Sequence, residues 1–91
     1  MSAPRPYAVQ YDPKALKELT KLDKPAARRI VKAVDALGIN PHPSGSRPLV
    51  GYPDLRRIRV GDYRVVYTVK DAQLVVLALR VAHRSTAYRK L

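Results

Sequence analysis

The chain contains no cysteine in its 91 residues. That excludes a disulfide framework, a thiol nucleophile and a cysteine-based zinc site. Histidine is scarce as well, with two in the whole sequence, so neither a structural metal nor a metal cofactor is expected. No apolar run approaches the roughly 18 residues that signal a membrane span, although hydrophobic residues make up 46% of the chain, an ordinary share for a folded domain. The opening segment, Met1-Ser2-Ala3-Pro4-Arg5-Pro6, has no apolar stretch behind its basic residue and does not read as a secretory signal. A cytoplasmic protein with no membrane attachment is the expectation. Glycine-rich phosphate loops, a Ser-His-Asp arrangement and an acidic cluster for Mg²⁺ are also missing. If the protein is a nuclease, it is not of the two-metal kind.

Acidic side chains are few: seven Asp and Glu stand against 18 Lys and Arg, a net charge of +11. Such an excess opposes compaction by self-repulsion and favours a polyanionic partner. It is uneven. Residues 40–91 hold ten basic and three acidic side chains, against eight and four in residues 1–39, and no acid follows Asp71. A merely solvated basic surface would not need that asymmetry.

The length fits one domain spanning residues 1–91. Tyr7, Val9 and Tyr11 alternate with Ala8 and Gln10, the period of a strand with one buried face. Asp12-Pro13 is a helix start, Asp as N-cap and Pro at the first helical position, and Ala15, Leu16, Leu19 and Leu22 follow at helical spacing. Lys14, Lys17, Glu18 and Lys21 lie outside that stripe. Asp23-Lys24-Pro25 repeats the signal, and Ala27, Ile30, Val31, Val34 and Leu37 form a second stripe ending at Gly38, placed for a C′ residue. From Ile39 to Asp54 the prolines, glycines and serines predict a loop, with Leu49, Val50 and Tyr52 as anchors. Strands resume at Leu55, turn at Gly61-Asp62, run from Tyr63 to Val69, turn at Lys70-Asp71-Ala72 and end in the nearly all-apolar segment from Leu74 to Val81. A strand apolar on both faces belongs in the middle of its sheet. The expected fold is α+β, in the order β-α-α-β-β-β: an antiparallel sheet packed against a helical hairpin, with a short C-terminal helix at Arg84 to Leu91 as an option.

Two constellations carry chemistry. In Arg57-Ile58-Arg59-Val60-Gly61-Asp62-Tyr63-Arg64, alternation puts Arg57 and Arg59 on the strand face opposite Ile58 and Val60, and the turn brings Arg64 close to Arg59. Guanidinium groups crowded this way repel unless an anion relieves them, and their forked donors match phosphate. The plainer alternative is a solvated outer sheet face, and Arg56 reads as ordinary surface. In the second, Val81-Ala82-His83-Arg84-Ser85-Thr86-Ala87-Tyr88-Arg89, Arg84 and Tyr88 share a face if the segment is helical. Tyr88 fits base stacking, phosphate binding or proton transfer, or else an aromatic plug over the core. His83 is a second candidate base, histidine being the residue type suited to proton transfer near physiological pH. His42 is incidental.

Taken together, Leu49-Val50-Gly51, the hairpin from Arg57 through Gly61-Asp62-Tyr63-Arg64-Val65-Val66-Tyr67, and Val81-Ala82-His83-Arg84 with Tyr88-Arg89 resemble the RelE/ParE toxin superfamily over essentially the whole chain. The resemblance to its RelE-type members implies the toxin of a type II toxin–antitoxin system. Such a toxin enters the ribosomal A site and cleaves mRNA through attack of the 2′-hydroxyl, without metal, as an endoribonuclease. It implies Arg57, Arg64, Arg84 and Tyr88 as catalytic residues and Arg59, His83 and Arg89 as RNA contacts. It also implies a cognate antitoxin with an acidic wrapping segment, and higher-order toxin–antitoxin assemblies. The best-studied members carry lysines at the positions of Arg57 and Arg59. Since arginine stays protonated, neither serves as a base here. The competing readings are a ParE-like inhibitor of DNA gyrase and a non-catalytic nucleic-acid-binding module.

Overall fold

The computed structural model describes residues 6–85. Residues 86–91, which include Tyr88, Arg89 and the optional terminal helix, lie outside the described residues, as do residues 1–5. The elements are β1 (Ala8–Tyr11), α1 (Pro13–Thr20), α2 (Lys24–Leu37), β2 (Arg47–Leu49), β3 (Tyr52–Val60), β4 (Tyr63–Lys70) and β5 (Val75–His83), with a 3₁₀ turn at Asp71–Gln73. The five strands form one sheet in the order β1-β5-β4-β3-β2. The two helices pack on one face of it, giving the expected α+β arrangement.

Both helices begin where their sequence signals stand. The Asp12 carboxylate accepts a hydrogen bond from the Lys14 N–H at 2.9 Å, which satisfies one of the unpaired donors of the first turn of α1. Pro13 and Pro25 occupy first-turn positions, where a missing N–H costs nothing. Gly38 does close α2, but with a right-handed φ of −66° instead of the left-handed geometry its position suggests. Its requirement is space: a Cβ there would stand 3.0 Å from the Tyr7 carbonyl oxygen and 3.1 Å from a Val9 methyl group. The helix end and β1 meet at that contact, where the Tyr7 N–H donates to the Gly38 carbonyl.

The sheet is mixed, not wholly antiparallel. The β2–β3, β3–β4 and β4–β5 pairs are antiparallel, while β1 joins β5 in parallel with Ala8 opposite Val75. The central position expected for the apolar last strand is the one β5 takes, between β1 and β4. A further departure lies within the segment expected to be loop. Arg47–Leu49 forms the short edge strand β2, and β3 starts at Tyr52 rather than Leu55. A two-residue connection, Val50-Gly51, joins them, with Gly51 at a φ of 83° that a side chain would oppose.

The core lies between sheet and helices. Ile30, Val34 and Leu37 of α2 and Ala15 of α1 meet Ile58, Val65, Tyr67, Val76, Ala78 and Val81. Tyr67 is fully buried, and its hydroxyl is the centre of a polar chain. It donates to the Pro41 carbonyl at 2.7 Å and lies 2.7 Å from Ser46 Oγ, which accepts from Arg56 Nε at 2.6 Å. With the Arg56 and Tyr67 donors so committed, the Ser46 hydroxyl proton points at the Tyr67 oxygen. Arg56 is therefore half-buried and structural, contrary to its reading as ordinary surface: its register opposite Tyr67 turns it inward, and Ser46 receives it. This chain fastens the segment between α2 and β2 to the floor of the core.

Leu74, 54% exposed, sits at a φ of 53° after the 3₁₀ turn. An L-residue in that region is strained by roughly 1–2 kcal/mol. Leu74→Gly removes the strain while giving up little packing, and should raise the urea midpoint of equilibrium unfolding. An unchanged or lower midpoint would show that the leucine compensates for its backbone.

Candidate active site

The β3–β4 hairpin presents the arginines as alternation requires. Arg59 lies directly opposite Arg64, and Arg57 opposite Val66, so all four side chains leave the sheet on the face away from the helices. Gly61, at a φ of 59°, makes the turn that sets this register. Like charges directly across a ladder destabilise the pair, and among the described residues neither Arg57 nor Arg59 has a carboxylate partner within ion-pair distance. On the neighbouring strand, Ala82 stands opposite Arg64 and Arg80 opposite Val66, which extends the same face into β5.

Arg84 follows the end of β5 and is tied to the hairpin tip. Its N–H donates to the Asp62 carbonyl at 2.8 Å, and its Nε lies 4.0 Å from the Asp62 carboxylate. Its side chain is 63% exposed. The turn that joins Arg59 to Arg64 thus also holds the third strand's arginine, so three chain segments converge at one end of the sheet. His83 has a different orientation. Its register partner is Tyr63, on the core side, and the two rings meet edge to face with centroids 5.4 Å apart. The Ser85 N–H donates to His83 Nδ1 at 3.2 Å, and Ser85 Oγ lies 2.8 Å from the same nitrogen. An accepting Nδ1 places the ring proton on Nε2.

Sequence reasoning missed one residue next to this site. Glu18, grouped with the solvent-facing lysines of α1, instead turns onto β5. Its carboxylate takes Arg80 Nε at 3.1 and 3.2 Å and Arg80 Nη2 at 2.8 Å, and its Oε1 also accepts from the Val81 N–H at 2.8 Å. Burial pushes the Glu18 carboxyl up, but the Arg80 guanidinium and the Val81 N–H outweigh it and hold it below its ordinary value of 4.5. A signal was present, since Glu18 is the chain's one glutamate and stands among Lys14, Lys17 and Lys21.

A carboxyl depressed in the folded state contributes stability above its unfolded pKa and loses it as pH falls through the folded value. Wild type is therefore expected to lose stability below about pH 4.5, the ordinary carboxyl value. Glu18→Gln should be less stable at pH 7 and flatter over that acid range, as read from unfolding midpoints. Parallel pH profiles for the two proteins would remove the ion pair from the account.

The family model for the ParE toxin of type II toxin–antitoxin systems matches residues 9–88, nearly the whole chain. The chain belongs to the RelE/ParE toxin superfamily. Within it, this toxin is 36% identical over 90 residues to Toxin RelE of Mycobacterium tuberculosis, covering 98% of this chain and 93% of the relative. Among solved structures, the archaeal RelE–RelB complex from Pyrococcus horikoshii OT3 matches at 33% identity and a TM-score of 0.77, over 90% of this chain and 99% of that one. The intact E. coli RelBE toxin–antitoxin complex matches at 30% identity and 0.75, over 85% and 95%. The curated relative and both complexes carry RelE names, whereas the family model is described by ParE. Among the described residues, no helix of this toxin is long and apolar enough to cross a membrane.

Proposed function

We propose that this toxin is a ribosome-dependent endoribonuclease that cleaves mRNA in the A site. The observation that carries the reading is the convergence of Arg57, Arg59, Arg64 and Arg84 at one end of the sheet, with Arg59 and Arg64 directly opposed. Such an arrangement is costly in the free protein and is relieved by a phosphate diester. In this reading Arg57, Arg64 and Arg84 bind the scissile phosphate and stabilise the charge that grows on its oxygens. Arg59 and Arg89 hold the flanking RNA backbone. The substrate's 2′-oxygen attacks phosphorus and the bond to the 5′-oxygen breaks, leaving a 2′,3′-cyclic phosphate and a 5′-hydroxyl. The arginines serve as neither base nor metal substitute beyond their charge. With Nδ1 engaged by Ser85, His83 contacts RNA as an Nε2–H donor, and the proton-transfer role falls to Tyr88. No metal is required by this scheme.

The partner is a cognate antitoxin whose acidic segment wraps the basic toxin, in line with the RelE–RelB complexes it matches, and the pair is suited to higher-order assembly in the cytoplasm. Primer extension on a message, translated or with its start codon removed, tests the activity. Cuts inside codons on the translated copy alone are expected. Intact message with growth arrest and DNA damage signalling would favour gyrase inhibition. Intact message without arrest, but with salt-dependent RNA binding, would reduce the protein to a binding module.

A further inference from the structure

The strand that carries the site into place is supported unevenly. On its inner side, β5 pairs with β4 from Val75 to His83, interrupted by one bulge at Leu79. On its outer side, β1 covers it only from Val75 to Ala78. Among the described residues no strand covers the outer edge beyond Ala78, yet the residues that follow lead directly to His83 and Arg84. Helix α1 runs along that edge, and Glu18 is what it contributes there. One carboxylate takes the outward Val81 N–H and, through the second oxygen, the forked guanidinium of Arg80. The pair is largely shielded, with side-chain exposures of 30% for Arg80 and 24% for Glu18. Arg80 starts on the same sheet face as Arg57 and Arg64, opposite Val66. Its tether to Glu18 draws that guanidinium around the edge of β5 instead of leaving it among the phosphate-facing arginines.

We propose that Glu18 is a positioning residue of the site: by clamping Val81 and Arg80 at the unpaired edge of β5, it fixes where Arg84 stands relative to Arg64. This rests on the endoribonuclease reading for its catalytic consequence, though not for its structural one. Two brackets hold the segment from Arg80 to Arg84, Glu18 on the outer side and the Asp62 carbonyl on the inner side. Removing the outer one lets the strand end shift within its ladder. A phosphate-binding group displaced by about 1 Å can cost ~100-fold in rate.

The test combines cleavage with amide exchange. In single-turnover cleavage on programmed ribosomes, Glu18→Ala should slow the rate at saturating toxin by about 10- to 100-fold, with the half-saturating toxin concentration unchanged. Glu18→Gln keeps an acceptor for the Val81 N–H and should recover most of that loss. By NMR on the free toxin, the Arg84 amide should exchange faster in Glu18→Ala, while those of Val65 and Val76 in the core keep their protection. Should Glu18→Ala not fold, Arg80→Lys keeps the charge but loses the fork, and an intermediate rate with faster Arg84 exchange is expected. A wild-type rate per folded molecule, a change confined to half-saturation, or Arg84 exchange unchanged in these variants would each overturn the proposal. If wild type itself does not cleave, the endoribonuclease reading fails, and Arg84 exchange alone decides whether Glu18 positions the strand.

Discussion

Arg64→Ala should leave a folded protein that no longer arrests translation, with single-turnover cleavage on ribosomes down by about 100- to 1,000-fold, the scale for losing one preorganised donor to a developing oxyanion. The expectation follows from its place in the sheet. Arg64 sits on the central hairpin, half-buried, opposite both Arg59 and Ala82, so the ladders on both sides fix the backbone from which its side chain projects. Arg64→Lys retains the charge without the fork and should fall between the two. The Arg64→Ala variant should still unfold in one cooperative thermal transition. Loss of cleavage together with loss of that transition would mean that Arg64 holds the sheet and not the substrate.

The second large effect concerns the core. Tyr67→Ala is expected to cost about 3–5 kcal/mol of folding free energy, by analogy with other aromatic truncations in cores. Since small domains are held by roughly 5–15 kcal/mol in all, that is a large share of the total and should lower the unfolding midpoint markedly. Tyr67→Phe separates the two parts of that cost. It keeps the ring and leaves the Pro41 carbonyl and the Ser46 hydroxyl without their partner, a loss of about 1–3 kcal/mol. Urea unfolding of both variants checks the division. A neutral Tyr67→Phe would mean that water replaces the hydroxyl and that the polar chain does not fasten the loop.

Local signals and distant ones differ sharply in what the sequence discloses here. The hairpin was legible because strand alternation and a two-residue Gly-Asp turn fix the faces of Arg57, Arg59 and Arg64 with no knowledge of the remainder. Asp12 and Asp23 marked both helix starts for the same reason. Strand β2 was hidden because it is three residues long and contains Pro48, a residue that an edge strand tolerates and a central one does not. The chain from Arg56 through Ser46 and Tyr67 to Pro41 joins residues 10, 21 and 26 positions apart, and no periodicity reports such contacts. Glu18 shows the limit of helix-face logic. A polar residue off the apolar stripe is assigned to solvent, and only the tertiary fold reveals that α1 overhangs an unpaired strand edge. The orientation of His83 toward Tyr63 was likewise set by register, which depends on the bulge between Val66 and Tyr67.

The parallel pairing of β1 with β5 has a consequence for timing. Ala8 and Val75 are partners in the sheet, 67 residues apart in sequence, and Glu18 meets Arg80 at nearly the same separation. A ribosome making this protein releases β1 and both helices first and β5 last, at about 5–20 residues per second. Until β5 emerges, the first strand has no neighbour, α1 has no edge to lie on, and Arg84 is not present to join the hairpin. The basic end of the sheet, which needs Arg84 beside the hairpin tip, is therefore completed only once β5 has emerged.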